Sequence, residues 1–161
     1  KVAVLGLAYK PGTDSIRHSL AINLSLWLNA QGAIVNAYDP AIKHLNYNLE
    51  SVIYLQKDID SALNEADIVV IGTECPEFLN IRIDQLGSQL PTPYVFDMNG
   101  FLSQQLEDQE AIKYFKVGGC NKIGQINEII KFPACLIPKS ISGTPKVSSN
   151  VTKSRRLRTI D

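Results

Sequence analysis

Short, unbroken apolar runs separated by helical periodicity constrain this sequence more than any other feature. Val2-Ala3-Val4-Leu5 is closed by Gly6, and Ile68-Val69-Val70-Ile71 stands between Asp67 and Gly72. Four consecutive apolar residues without polar alternation mark a strand buried on both faces, as in a parallel sheet. After the first run, Leu20, Leu24, Trp27 and Leu28 recur at three- and four-residue intervals. Ser19 suits an N-cap and Gly32 a left-handed terminator, which predicts a helix over 20–30 with Trp27 on its core face.

Residues 33–38 return to strand character and stop at Asp39-Pro40, because proline has no amide to donate to a central ladder. The pattern then repeats. A weaker strand is expected over 52–55, a short helix over 59–65 opened by Asp58 and Asp60, and a buried strand over 68–72. Helical pieces follow over 77–89, a strand over 94–96 ending at Asp97, a partly helical connection over 103–110, and a last strand over 113–117 before Gly118-Gly119. This alternation predicts an α/β fold, a Rossmann-like doubly wound parallel sheet with helices on both faces.

Composition narrows the functional classes. Cys75, Cys120 and Cys135 are odd in number and lack CxxC spacing, and His18 and His44 lie far apart. Neither a metal site nor a disulfide framework is expected, and the reducing cytoplasm is the expected compartment. No apolar stretch approaches the roughly 18 residues of a membrane span. Lys1 leads directly into a strand rather than a signal peptide, so the chain is expected to begin at a domain boundary inside a longer protein. The 16 basic and 16 acidic residues balance. That balance hides a split, because Lys139, Lys146, Lys153, Arg155, Arg156 and Arg158 face only Asp161 beyond residue 138. The basic tail lacks interleaved aromatics, so it reads as a solvated tail, or one docked on the acidic body, and no nucleic acid is expected as partner.

In an open parallel sheet, ligands sit at the carboxyl ends of the strands, and the loop after the first strand is the usual phosphate contact. Here it runs Gly6-Leu7-Ala8-Tyr9-Lys10-Pro11-Gly12-Thr13-Asp14-Ser15-Ile16-Arg17-His18-Ser19. Ala8 replaces the second glycine of the dinucleotide fingerprint, and Thr13 follows Gly12 where a P-loop needs lysine. The loop offers two cations, Lys10 and Arg17, and two hydroxyls, Thr13 and Ser19, ahead of a helix. Those groups suit a diphosphate. They suit equally a solvated surface loop with Pro11-Gly12 as an ordinary turn, and spacing alone leaves both readings open.

The segment KVAVLGLAYKPGTDSIRHS, followed by a helix and a strand ending in YDP, resembles the UDP-binding C-terminal domain of the UDP-glucose/GDP-mannose dehydrogenase family, whose pattern there is approximately GLAFKPGTDDxRxSP. The segment from Ala66-Asp67 to Thr73-Glu74-Cys75-Pro76-Glu77-Phe78 is similar to the family's AD…TEWxEF, and Asp97-Met98-Asn99-Gly100 lies where the family has DxRN. The resemblance covers residues 1–119. Residues 120–161 are read as a C-terminal extension, with a helix at 123–132 and then the basic tail.

The resemblance implies a domain that holds a UDP-sugar or related nucleotide sugar within an NAD-dependent dehydrogenase oxidising that sugar to a uronic acid for polysaccharide biosynthesis. It places Tyr9 and Lys10 beside the nucleotide sugar and turns Arg17 toward NAD. NAD itself would be held mainly by an upstream domain that, with a central domain, is this chain's implied partner. Asn99 takes the position of the family's substrate-side arginine, and Cys75 that of its tryptophan. The family's catalytic cysteine lies upstream, so no catalytic residue is expected here and the isolated chain is expected to be inactive. Gly118-Gly119-Cys120 is out of place for that cysteine motif, and Cys120 is read as an ordinary thiol. The alternative is a divergent, non-catalytic nucleotide-binding module. Asp39 is read as a structural Asp-Pro turn and His18 as an exposed residue at the helix start, while Thr73 and Glu74 stand where either ligand contact or capping would put them.

Overall fold

The computed structural model describes residues 1–86 and 92–118. Six parallel strands, β1 (Val2–Leu5), β2 (Val35–Tyr38), β3 (Ile53–Leu55), β4 (Ile68–Ile71), β5 (Tyr94–Asp97) and β6 (Lys113–Lys116), form one sheet in the order β3-β2-β1-β4-β5-β6. The helices are α1 (Leu20–Ala30), α2 (Tyr47–Glu50), α3 (Ile59–Leu63) and α4 (Ser103–Leu106), with 3₁₀ turns at Pro76–Asn80 and Ile83–Leu86. The strand order reverses between β1 and β4, which defines the crevice where such sheets bind ligands. The expected fold class is the one found. The expected helix at 123–132, Cys120 and the basic tail lie outside the described residues.

Two apolar layers sandwich the sheet. On one face Leu5, Val69, Ile71 and Val95 pack with Leu63 of α3, Phe78 and Leu106 of α4. On the other, Val4, Val35, Ile53 and Val70 pack with Ala21 and Ile22 of α1. Central β1 is buried throughout, as its unbroken apolar sequence requires.

Helix α1 has both expected ends. The Ser19 hydroxyl accepts from the Ile22 amide at 3.2 Å. At the other end Gly32 (φ +91°) donates to the Asn29 carbonyl and Ala33 to the Leu28 carbonyl, a Schellman closure that the left-handed glycine makes possible. Helix α3 ends at Leu63, two residues before the expected 65, because Asn64 turns extended and Glu65 adopts φ +58° to swing the chain into β4.

The expectation for Trp27 is overturned, since it is 59% exposed and Leu20 is 67% exposed. The sheet-facing line of α1 is Ala21, Ile22 and Ser25 instead. The cause is close approach. A Cβ added at Gly72 would lie 2.6 Å from the Ala21 Cβ, so the helix sits close to the sheet at Ala21; Leu24 and Leu28 pack partly buried beside this line, and Leu20 and Trp27 face outward.

Candidate functional site

The loop leaving β1 is tied down at its base and open at its tip. Gly6 adopts φ +86°, and a Cβ there would meet the Thr73 backbone oxygen at 2.5 Å. Only glycine allows the β1 and β4 ends to come this close. Beyond it, the Leu7 and Ala8 amides donate to Asp39 Oδ2 at 2.7 and 2.9 Å, and the Ala41 amide donates to Oδ1 at 2.8 Å. The Thr73 hydroxyl donates to the Ala8 carbonyl. Asp39 is therefore a structural clamp between the β1 and β2 loops, reaching further than the expected Asp-Pro turn. Thr73 locks the same loop to β4.

Past these anchors the chain turns outward at Tyr9, 57% exposed, and Lys10, also exposed. The Tyr9 amide donates to the Ser15 carbonyl at 2.7 Å, closing the loop on itself around Gly12, whose φ of +75° meets nothing nearby. Lys10 thus stands on a loop that is rigid at its root and free at its crest.

Two clefts flank Lys10. One, of about 390 Å³, runs between the loop's inner side, residues 39–41 and residues 73–76, and Glu74 and the half-buried Cys75 thiol lie on its wall. The other, of about 400 Å³, is lined by Tyr9, Lys10, Leu20, Thr73, Met98 and Asn99, and the N-terminal end of α1 opens onto it. Both volumes fall in the range of small-ligand pockets. The second cleft brings together Tyr9, Lys10 and Asn99, which the sequence places about 90 residues apart. Arg17 lines neither cleft and is exposed. His18, beside the Ser19 cap, is exposed with φ +62°.

The Asn99 backbone is held by Asp97, the last residue of β5. Asp97, 1% exposed, accepts the Tyr114 hydroxyl and the Leu102 amide on Oδ2, each at 2.7 Å, and the Asn99 amide on Oδ1 at 3.2 Å. Burial first, and then the hydrogen bond and charge of Asp97, push the Tyr114 phenol well above its usual range. A second buried phenol, Tyr38, donates to Glu77 at 3.0 Å, and burial followed by that carboxylate pushes it up to about 12. Tyr114 lies on a different strand from Asp97, so only the alternation of β6 could have hinted at the pair.

Among the described residues no cluster of three metal-ligating side chains occurs, and no helix is long and apolar enough to cross a membrane.

The family model for the UDP binding domain of the UDP-glucose/GDP-mannose dehydrogenase family matches residues 3–104. The chain is 32% identical over 120 residues to the UDP-glucose 6-dehydrogenase of Rickettsia conorii, covering 73% of this chain and 28% of that protein. It is 35% identical over 118 residues to the UDP-glucose 6-dehydrogenase of Rhizobium meliloti, covering 73% and 27%. Among solved structures, the UDP-N-acetyl-mannosamine dehydrogenase Cap5O from Staphylococcus aureus superposes with a TM-score of 0.59 at 26% identity, over 78% of this chain and 27% of that one. The chain therefore spans little more than a quarter of the length of the relatives it matches.

Proposed function

Because the chain belongs to the UDP-glucose/GDP-mannose dehydrogenase family through its UDP-binding domain, we propose that it holds the nucleotide sugar for an NAD-dependent dehydrogenase that converts the sugar to a uronic acid for polysaccharide biosynthesis. The observation that carries this reading is the convergence of Tyr9, Lys10 and Asn99 on one cleft at the start of α1. Lys10 supplies a mobile point charge for the diphosphate, and the end of α1 adds the positive end of its dipole. The exposed Tyr9 ring offers a flat apolar surface with a hydroxyl at its edge. Asn99 gives a neutral donor and acceptor where the family carries an arginine, so charge recognition rests chiefly on Lys10.

The residues at the head of the sheet do not fit a dinucleotide. The Leu7, Ala8 and Ala41 amides already take most of the acceptor capacity of the Asp39 carboxylate, and the Gly6–Thr73 approach narrows the crevice a pyrophosphate would enter. NAD is accordingly assigned to an upstream domain, with Arg17 outside both clefts and turned to that partner, and the cytoplasm is the proposed compartment. The domain is taken to comprise residues 1–119. The isolated chain binds without turning over.

Calorimetric titration of the chain with UDP-glucose, UDP and GDP-mannose tests this. Lys10→Ala removes a charge-assisted contact worth about 1.5–3 kcal/mol, or roughly a 10- to 150-fold loss of affinity. Binding indifferent to that change sinks the assignment of the cleft. Formation of NADH by the chain with UDP-glucose and NAD overturns the division of labour. The asparagine at position 99 favours a second reading, a divergent non-catalytic module, which predicts that none of the three nucleotides binds even with the upstream domain supplied.

A further inference from the structure

Thr73 and Glu74 leave β4 side by side but do different work. The Thr73 hydroxyl is spent on the loop, donating to the Ala8 carbonyl. Glu74 is half-buried on the wall of the cleft of about 390 Å³, and among the described residues its carboxylate has no hydrogen-bond or ion-pair partner. It caps nothing either, since the 3₁₀ turn opening at Pro76 has no side-chain cap. A partly desolvated carboxylate without a donor costs free energy that the hydroxyls of a ligand would recover.

The rest of that cleft is apolar and stiff. Pro11, Pro40 and Pro76 line it from three different loops, and a proline ring offers apolar surface with no amide to donate. Asp39, which holds the position of the ribose acceptor in a dinucleotide site, already accepts from the Leu7, Ala8 and Ala41 amides. Glu74 lines the same cleft from the β4 side with its acceptors free.

This cleft meets its neighbour at the loop crest. Ala8, Lys10, Pro11 and Thr73 line both, so a molecule held at the Lys10 ammonium has an arm on each side. The two sides satisfy different chemistry. The neighbouring cleft offers the Asn99 amide and the Tyr9 phenol and contains no carboxylate, which suits a sugar and the diphosphate beside it. On the Glu74 side a hexose would leave most of its hydroxyls unpaired against proline rings. A nucleoside matches better: its flat ring suits the apolar walls, and its vicinal diol presents two donors to one carboxylate. Repulsion by Glu74 also keeps the diphosphate on the Lys10 side.

We propose that the Glu74 cleft is the nucleoside half of the binding site, with Glu74 accepting from the ribose 2′- and 3′-hydroxyls in place of Asp39, while the diphosphate crosses Lys10 and the sugar lies beside Tyr9 and Asn99. The proposal rests on the reading of Lys10 as the diphosphate ligand.

Calorimetric titration of the full chain with UDP and with 2′,3′-dideoxy-UDP, joined to iodoacetamide labelling of Cys75 read by mass spectrometry, tests it. UDP is expected to bind Glu74→Gln about 10-fold more weakly than the parent. The dideoxy nucleotide should bind the parent about 10-fold more weakly than UDP does, with little further loss in Glu74→Gln, because both changes remove the same bonds. Bound UDP should slow alkylation of Cys75, which lies on the same wall, several-fold. Should Glu74→Gln fail to fold, the dideoxy comparison and the Cys75 protection are both read on the parent chain. Equal affinity of the parent for the two nucleotides, UDP affinity unchanged in folded Glu74→Gln, or unprotected Cys75 overturns the nucleoside assignment, and if Lys10→Ala still weakens UDP the reading of Lys10 stands. UDP binding that is absent or indifferent to Lys10→Ala removes both.

Discussion

Replacing Asp97 by asparagine tests how the cleft wall is held. The carboxylate is 1% exposed and has three donors: the Tyr114 hydroxyl, the Leu102 amide and the Asn99 amide. An asparagine keeps one oxygen, which can still serve Tyr114 and Leu102. Both bonds change from charge-assisted to neutral, a loss of about 1 kcal/mol each. The new NH₂ meets the Asn99 amide, donor against donor in a buried site, which costs about 1–3 kcal/mol. The sum for Asp97→Asn is roughly 3–5 kcal/mol, or a fall in Tm of about 6–20 °C for a chain of this size. Urea denaturation followed by circular dichroism reads it directly. Tyr114→Phe removes one donor and is expected to cost about 1.5–3 kcal/mol. The two changes share a bond, so their double variant should be milder than additive by about 1 kcal/mol. Stability of Asp97→Asn within about 0.5 kcal/mol of the parent, or strict additivity, would refute the carboxylate as the organiser of this loop.

Gly72→Ala places a Cβ 2.5 Å from the Gly6 oxygen and 2.6 Å from the Ala21 Cβ, so it should destabilise by about 1–3 kcal/mol in the same denaturation assay. Trp27→Ala should change stability by no more than about 0.5 kcal/mol, against about 3–5 for a core tryptophan, and native emission from this single tryptophan should be quenched by acrylamide. The raised phenols of Tyr38 and Tyr114 make stability depend on alkaline pH. The unfolded chain releases these protons near 10 and the folded chain holds them longer, so their stabilisation is complete below pH 10. It is lost for Tyr38 as pH rises toward about 12, and for Tyr114 higher still, at about 1.4 kcal/mol per pH unit for each group. Spectrophotometric titration should show two late phenolates that vanish in denaturant.

Strands β1 and β4 were legible because each is a local apolar run, and α1 was legible because Ser19 and Gly32 carry its ends within their own backbone preferences. The face of α1 was legible in part. Of Leu20, Leu24, Trp27 and Leu28, which satisfy the helical period, Leu24 and Leu28 pack partly buried against the core, but the buried line is Ala21, Ile22 and Ser25, because how near the helix approaches the sheet depends on Gly72, about 45 residues away. Asp39 and Asp97 were both visible as strand ends. Their partners, the Leu7 and Ala8 amides for one and Tyr114 for the other, come from neighbouring strands whose order no local pattern states.

The alternation of elements, the loop that carries Lys10 and the family to which that loop belongs are each written in contiguous residues and need no fold to be read. Packing is what gives Asn99 a cleft in common with Tyr9 and Lys10, ties Asp39 to three backbone amides and turns Trp27 outward. Those outcomes rest on strand order and on the close passage of β1 past β4, which arise from packing the whole sheet at once.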